Sequence, residues 1–82
     1  MRVTVRFFAL YRERAGAAEA EIDLPEGATA EELLARLRGI YPGLPSSNSV
    51  LIAVNSEYVD PADPLHEGDE VAFIPPVSGG QT

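Results

Sequence analysis

The chain has 82 residues and a net charge of −7, enough for one domain that buries about 60–65% of its unfolded surface and leaves little room for a private catalytic cleft. Thirteen acids face six bases, all of them arginine, a balance that disfavours phosphate backbones and anionic lipid, so neither nucleic acid nor membrane is an expected partner. With no cysteine, a disulfide framework, a thiolate metal site and a cysteine nucleophile are excluded.

Charges interrupt the apolar residues of Met1-Arg2-Val3-Thr4-Val5-Arg6, so no signal-peptide apolar segment is present there. No apolar run approaches the ~18 residues of a membrane helix. The cytoplasm is the expected location.

From Arg2 to Phe8 the residues alternate, Val3, Val5 and Phe7 on one face and Arg2, Thr4, Arg6 and Phe8 on the other, the period of a half-buried strand. Phe8 then falls on the polar face. Ala9 to Gly16 reads as a short helix with arginines toward its end and Gly16 as its stop. Ala18, Ala20, Ile22 and Leu24 alternate with Glu19, Glu21 and Asp23, predicting a second strand, antiparallel to the first, with the acids toward water.

Pro25-Glu26-Gly27 is turn chemistry, and Thr29-Ala30-Glu31-Glu32 has the spacing of a capping box, which opens the main helix. Leu33, Leu34, Leu37 and Ile40 form its apolar stripe, with Glu31, Glu32, Arg36 and Arg38 on the other side. Gly39 weakens the last turn and Pro42 ends it.

Leu44 to Ser49 is a polar loop without a phosphate-cradling pattern. Val50 to Val54 is continuously apolar, predicting a strand covered on both faces or a central one. Asn55-Ser56 turns it into Glu57-Tyr58-Val59, with Tyr58 outward and Val59 inward. Asp60 to Leu65 is too rich in proline for regular structure, and Gly68 takes the positive-φ position of the turn that follows. His66, the single histidine, has no ligand partners spaced around it, and reads as an exposed turn residue rather than a metal ligand or acid/base group.

Glu70 to Ile74 is the last strand, with Val71 and Phe73 inward and Ala72 and Ile74 outward. After it come Pro75 and Pro76, which cannot donate to a sheet ladder, then Val77-Ser78-Gly79-Gly80-Gln81-Thr82. Gly79 and Gly80 lack a Cβ, so backbone there fits a channel too narrow for a side chain. A frayed terminus is the plain alternative.

One long helix covering one face of a mixed sheet is an α+β pattern whose other face stays open. Phe8, Tyr58 and Ile74 are the large apolar residues on that open face. Gathered beside the root of the tail, they would form a docking surface.

Phe7-Phe8-Ala9, Leu24-Pro25-Glu26-Gly27-Ala28-Thr29, Ala53-Val54-Asn55, Leu65 with Gly68-Asp69-Glu70-Val71-Ala72, and Pro75-Pro76-Val77-Ser78-Gly79-Gly80 together resemble the small subunit of molybdopterin synthase. That family consists of ubiquitin-like sulfur carriers, and the resemblance covers nearly the whole chain. It implies a β-grasp fold of about five strands with one main helix, a domain over residues 1–76 and a flexible tail over 77–82.

The resemblance also implies a mechanism. A ubiquitin-activating-like adenylyltransferase would use ATP to adenylate the Gly80 carboxylate, and sulfur would then replace AMP to leave a thiocarboxylate. The carrier itself would hold no cofactor or metal and would not be an enzyme. Inserted into the large catalytic subunit, in an expected heterotetramer, the arm would donate sulfur to a pyranopterin precursor.

The family's contact positions carry over to Phe8, Tyr58 and Ile74, Pro75, Pro76 and Val77 are expected to bind the partner with them, and Gly79 and Gly80 form the reacting end. Pro75 and Pro76 stiffen the root of the arm. Four residues from Val77 to Gly80 extend about 13–14 Å at ~3.3–3.6 Å each. Arg12 also occupies a family-typical position, where it would meet either a partner or a neighbouring carboxylate.

One departure from the family pattern has a consequence. Gln81 and Thr82 follow Gly80, so a processing protease is expected to remove them; otherwise the carrier role is lost or differently organised. Alternatives are sulfur carriage for thiamine synthesis or tRNA thiolation, a ubiquitin-like protein modifier, and a plain binding module. No Ser/His/Asp or Cys/His set supports an independent enzyme.

Overall fold

Alternation becomes a five-stranded sheet in the computed structural model, which describes residues 1–44 and 50–74. The elements are β1 (Arg2–Phe7), α1 (Ala9–Ala15), β2 (Glu19–Asp23), α2 (Ala30–Ile40), β3 (Leu51–Val54), β4 (Glu57–Tyr58) and β5 (Glu70–Ile74). Strand order is β2-β1-β5-β3-β4. β1 and β5 lie parallel at the centre, Phe7 opposite Phe73, and the remaining pairs are antiparallel.

The covered face and the main helix share one core. Val3, Val5, Val71, Ala30, Leu33 and Leu37 have no measurable exposure, and Phe7, Ile52 and Phe73 are buried with them. This is the α+β architecture expected of a β-grasp, with α2 on one face of a mixed sheet.

The capping box sets where α2 begins. Thr29 Oγ1 accepts from the Glu32 N–H at 3.2 Å, while the Thr29 N–H donates to Glu32 Oε1 at 2.8 Å. Two more N–H groups of the first turn, which no helical carbonyl can reach, go to the proline-rich segment: Ala30 N–H to the Asp63 carbonyl at 3.1 Å and Glu31 N–H to that of Pro61 at 2.8 Å. That irregular segment therefore completes the helix start, anchored by the buried Leu65. Thr29→Ala is expected to lower unfolding stability by about 1 kcal/mol, read as a lower denaturant midpoint with an unchanged slope.

The β3–β4 turn is a two-residue hairpin whose central residues both have positive φ, Asn55 at 52° and Ser56 at 74°, the handedness that matches strand twist. Asn55 also clamps the start of β5. Its Nδ2 donates to Asp69 Oδ1 and its Oδ1 accepts from the Glu70 N–H, each at 3.0 Å.

Several expectations need correction. β1 ends at Phe7, and Phe8 instead becomes the N-cap of α1 with extended φ −125° and ψ 150°. Ala18 is exposed, because it lies outside β2 and the alternation read there overran the strand. Ile40 is 50% exposed: it is the last residue of α2, and the chain beyond it fills that end of the core with Leu44 and with Tyr41, whose ring meets Phe7 edge-on at 5.5 Å. Arg38 is half-buried rather than on a fully solvated side. The loop from Pro45 to Ser49 lies outside the described residues.

Candidate docking surface

The face opposite α2 is ordered by strand register. One row crosses all five strands: Glu19, Arg6, Ala72, Ala53 and Tyr58, each paired with the next. The adjacent row, toward the end of β5, holds Ile74, which pairs with Leu51 on β3; Phe8 follows Phe7, the last paired residue of β1, with extended backbone, so continuing the register from Phe7 and Phe73 by one step brings it to the level of Ile74. Phe8 is 42% exposed, Leu51 43% and Tyr58 71%, while Ile74 is half-buried. The three apolar residues read from alternation thus share one face, Ile74 in the row where β5 ends and Tyr58 one row back from it.

Leu51 was not among them. A continuous apolar run reads as a strand covered on both faces or a central one; β3 is an interior strand, between β5 and β4, but is open at one end of one face, so Leu51 is 43% exposed while Ile52 is 3% exposed. Alternation inside the run, with Leu51 and Ala53 against Ile52 and Val54, is the signal that separates them.

Charge occupies the other end of the same face. Arg2 Nε holds Asp23 Oδ1 at 2.9 Å with Glu21 at 3.5 Å, and Arg6 reaches Glu70 at 3.1 Å and Glu19 at 3.6 Å. The hydrogen bond from Arg2, with its charge, holds the Asp23 carboxyl below its usual range. Pairs this exposed add little stability. Their consequence is directional, since along β1 the face passes from Arg2, Thr4 and Arg6 to Phe8.

Two further candidates stand apart from the patch. His66 is a turn residue, 79% exposed, with Nδ1 3.9 Å from Asp69 Oδ2, at the opposite end of β5 from Ile74. Arg12 is exposed on α1, and no carboxylate among the described residues pairs with it. Tyr11 is buried, and that burial pushes its phenol up, so it remains a neutral core group. No group of three His, Asp or Glu side chains among the described residues could hold a metal ion. No helix among them is long and apolar enough to cross a membrane. Pro75, Pro76, Val77, Gly79 and Gly80 lie outside the described residues.

Comparison with known proteins gives concordant matches. The ThiS family profile matches residues 5–80. A molybdopterin synthase sulfur carrier subunit from Chlamydomonas reinhardtii is 46% identical, over 98% of this chain and 100% of that protein. The crystal structure of SAMP1, small archaeal modifier protein 1, from Haloferax volcanii superposes with a TM-score of 0.87 at 29% identity, over 98% of this chain and 100% of that one. A chain in the complex of subunits 1 and 2 of the molybdopterin-converting factor from Helicobacter pylori superposes with a TM-score of 0.69 at 32% identity, over 98% of this chain and 100% of that one.

Proposed function

In a chain that belongs to the ThiS family and is a sulfur carrier of molybdopterin synthesis rather than an enzyme, we propose that Gly80 is the atom-bearing end and that Phe8, Tyr58 and Ile74 dock it. The observation that carries this reading is the position of β5. It is a central strand whose last residue, Ile74, lies in the apolar end of the open face, and Pro75 to Gly80 follow directly. A partner seated on the patch therefore meets the root of the arm.

The chemistry asks for only a carboxylate and reach. A Gly80 carboxylate oxygen attacks the α-phosphorus of ATP in an activating adenylyltransferase, and pyrophosphate leaves. A sulfur nucleophile then displaces AMP at the acyl carbon: sulfide gives the thiocarboxylate directly, whereas a persulfide gives an acyl disulfide, which a second thiol cleaves by forming a disulfide with the persulfide donor's own sulfur and releasing the thiocarboxylate. Gly79 keeps the approach narrow, with no Cβ on either side of the reacting bond. The acceptor is a pyranopterin held by a large catalytic subunit, and the assembled form is a heterotetramer with one arm in each catalytic site. Residues 1–76 act as the domain that docks and 77–82 as the arm, in the cytoplasm.

The sequence continues past Gly80 with Gln81 and Thr82, which hold the Gly80 carbonyl as an amide. A protease that cuts after Gly80 therefore precedes activation. Intact-mass analysis of the chain from its native cell tests this: it should end at Gly80, a fraction being heavier by one oxygen-to-sulfur exchange. Gln81 and Thr82 persisting on chains bound to a working large subunit would overturn it. The likeness to a small archaeal modifier protein favours a second reading, isopeptide transfer of the same end to target lysines. Adducts carrying this chain in the same cells would select it.

A further inference from the structure

The docking reading leaves one gap: Ile74 on β5 and Tyr58 on β4 are not neighbours, because β3 runs between them. Two outward residues of β3 fill that space. Ala53 pairs with Tyr58 and is 9% exposed, so it is a floor rather than a contact; Leu51 pairs with Ile74, lies diagonally across from Tyr58 and is 43% exposed. Without Leu51 the three candidate residues are separate spots. With it, Phe8, Ile74, Leu51 and Tyr58 are continuous.

Position also decides how much each member can contribute. Energetically dominant contacts sit at the centre of a patch, where a rim excludes water, and on backbone that loses little freedom on binding. Leu51 meets both conditions, lying between Ile74 and Tyr58 on a strand that pairs with β5 at Leu51 itself and with β4 from Ala53 onward. Tyr58 belongs to a two-residue edge strand and is 71% exposed, which makes it rim. The ion-paired end of the face, with Arg6 and Glu70 at 3.1 Å, closes the patch on the side away from the tail.

We infer that Leu51 is the central anchor of the docking surface, meeting an apolar pocket of the large catalytic subunit, and that Tyr58 is a peripheral contact. This rests on the proposed docking of that face and adds a ranking to it. Continuity with the root of the arm argues for this occupant, since a partner that takes the arm must lie against the residues around Ile74.

The test measures affinity for the purified large subunit with four variants of the full chain, each first shown to be folded by its thermal unfolding. Leu51→Thr, which introduces a β-branched strand former, should weaken binding tenfold or more, and Tyr58→Ala about threefold or less. Ile40→Thr, an equally exposed apolar position on the helix side, should leave affinity unchanged. Ile74→Asp reports on the docking face itself. If Ile74→Asp weakens binding but Leu51→Thr does so no more than Tyr58→Ala, the ranking is wrong and the docking reading survives. If Ile74→Asp has no effect, both fall. Should Leu51→Thr unfold, Leu51→Val, smaller by one methylene, must still weaken binding more than Tyr58→Ala, or the inference is overturned.

Discussion

A chain shortened to end at Gly80 is expected to take up sulfur when mixed with its activating enzyme, ATP and a sulfur source, whereas the chain that retains Gln81 and Thr82 is expected to take up none at Gly80. The contrast is chemical before it is structural. A carboxylate attacks ATP and becomes an acyl-adenylate with a good leaving group, but the Gly80 carbonyl of the longer chain is bonded to the Gln81 nitrogen and offers neither an attacking oxygen nor a leaving group. A chain ending at Gly79 separates placement from chemistry. It has a free carboxylate, but its arm is shorter by ~3.3–3.6 Å, and a misplacement of 1 Å alone can lower a rate by about a hundredfold. Sulfur uptake and transfer should therefore fall at least that far, while affinity for the large subunit changes little. Intact mass reports uptake directly; equal uptake by the uncut 82-residue chain would show that Gly80 is not the reacting end.

The sequence discloses faces more readily than neighbours. Val3, Val5 and Phe7 against Arg2, Thr4 and Arg6, or Val71 and Phe73 against Ala72 and Ile74, are local patterns set by the two-residue period of a strand, and the structure follows them. The capping box at Thr29 and Glu32 is equally local. Strand order is not. β1 pairs with β5 across more than sixty positions, Thr4 with Glu70, and no short window contains both partners.

A period is informative only within the element that imposes it. Ala18 continues the alternation of β2 in sequence, but β2 starts at Glu19, and Ile40 continues the helical stripe, but Tyr41 and Leu44 fill that end of the core. Leu51 shows a different limit. An unbroken apolar run reports that a strand is central, but how far its neighbours cover each face depends on where β4 stops, and β4 is only two residues long. For the candidate site, then, Phe8, Tyr58 and Ile74 are legible as outward residues from the strand period, whereas only the register shows that β3 separates Ile74 from Tyr58 and that Leu51 lies between them.

Phe73 and Ile74 are consecutive in β5 and should respond to substitution in opposite ways. Phe73 is 1% exposed and points into the core between Phe7 and Ile52, its partners on the flanking strands. Removing its ring deletes buried apolar area and leaves a cavity, which costs about 3–5 kcal/mol, a large fraction of the ~5–15 kcal/mol that holds a typical domain folded. Phe73→Ala should therefore lower the unfolding midpoint strongly and weaken docking only through loss of folded protein. Ile74 is half-buried on the other face, beside Leu51 and Phe8, where a carboxylate keeps much of its water in the free carrier and loses it when a partner closes over the patch. Ile74→Asp should thus cost about 1 kcal/mol of stability, the span of strand propensity, but 2 kcal/mol or more of binding, on the order of thirtyfold. Thermal unfolding and titration against the large subunit separate the two effects. A loss of stability for Ile74→Asp as large as that for Phe73→Ala would mean that this face is part of the core rather than a surface for a partner.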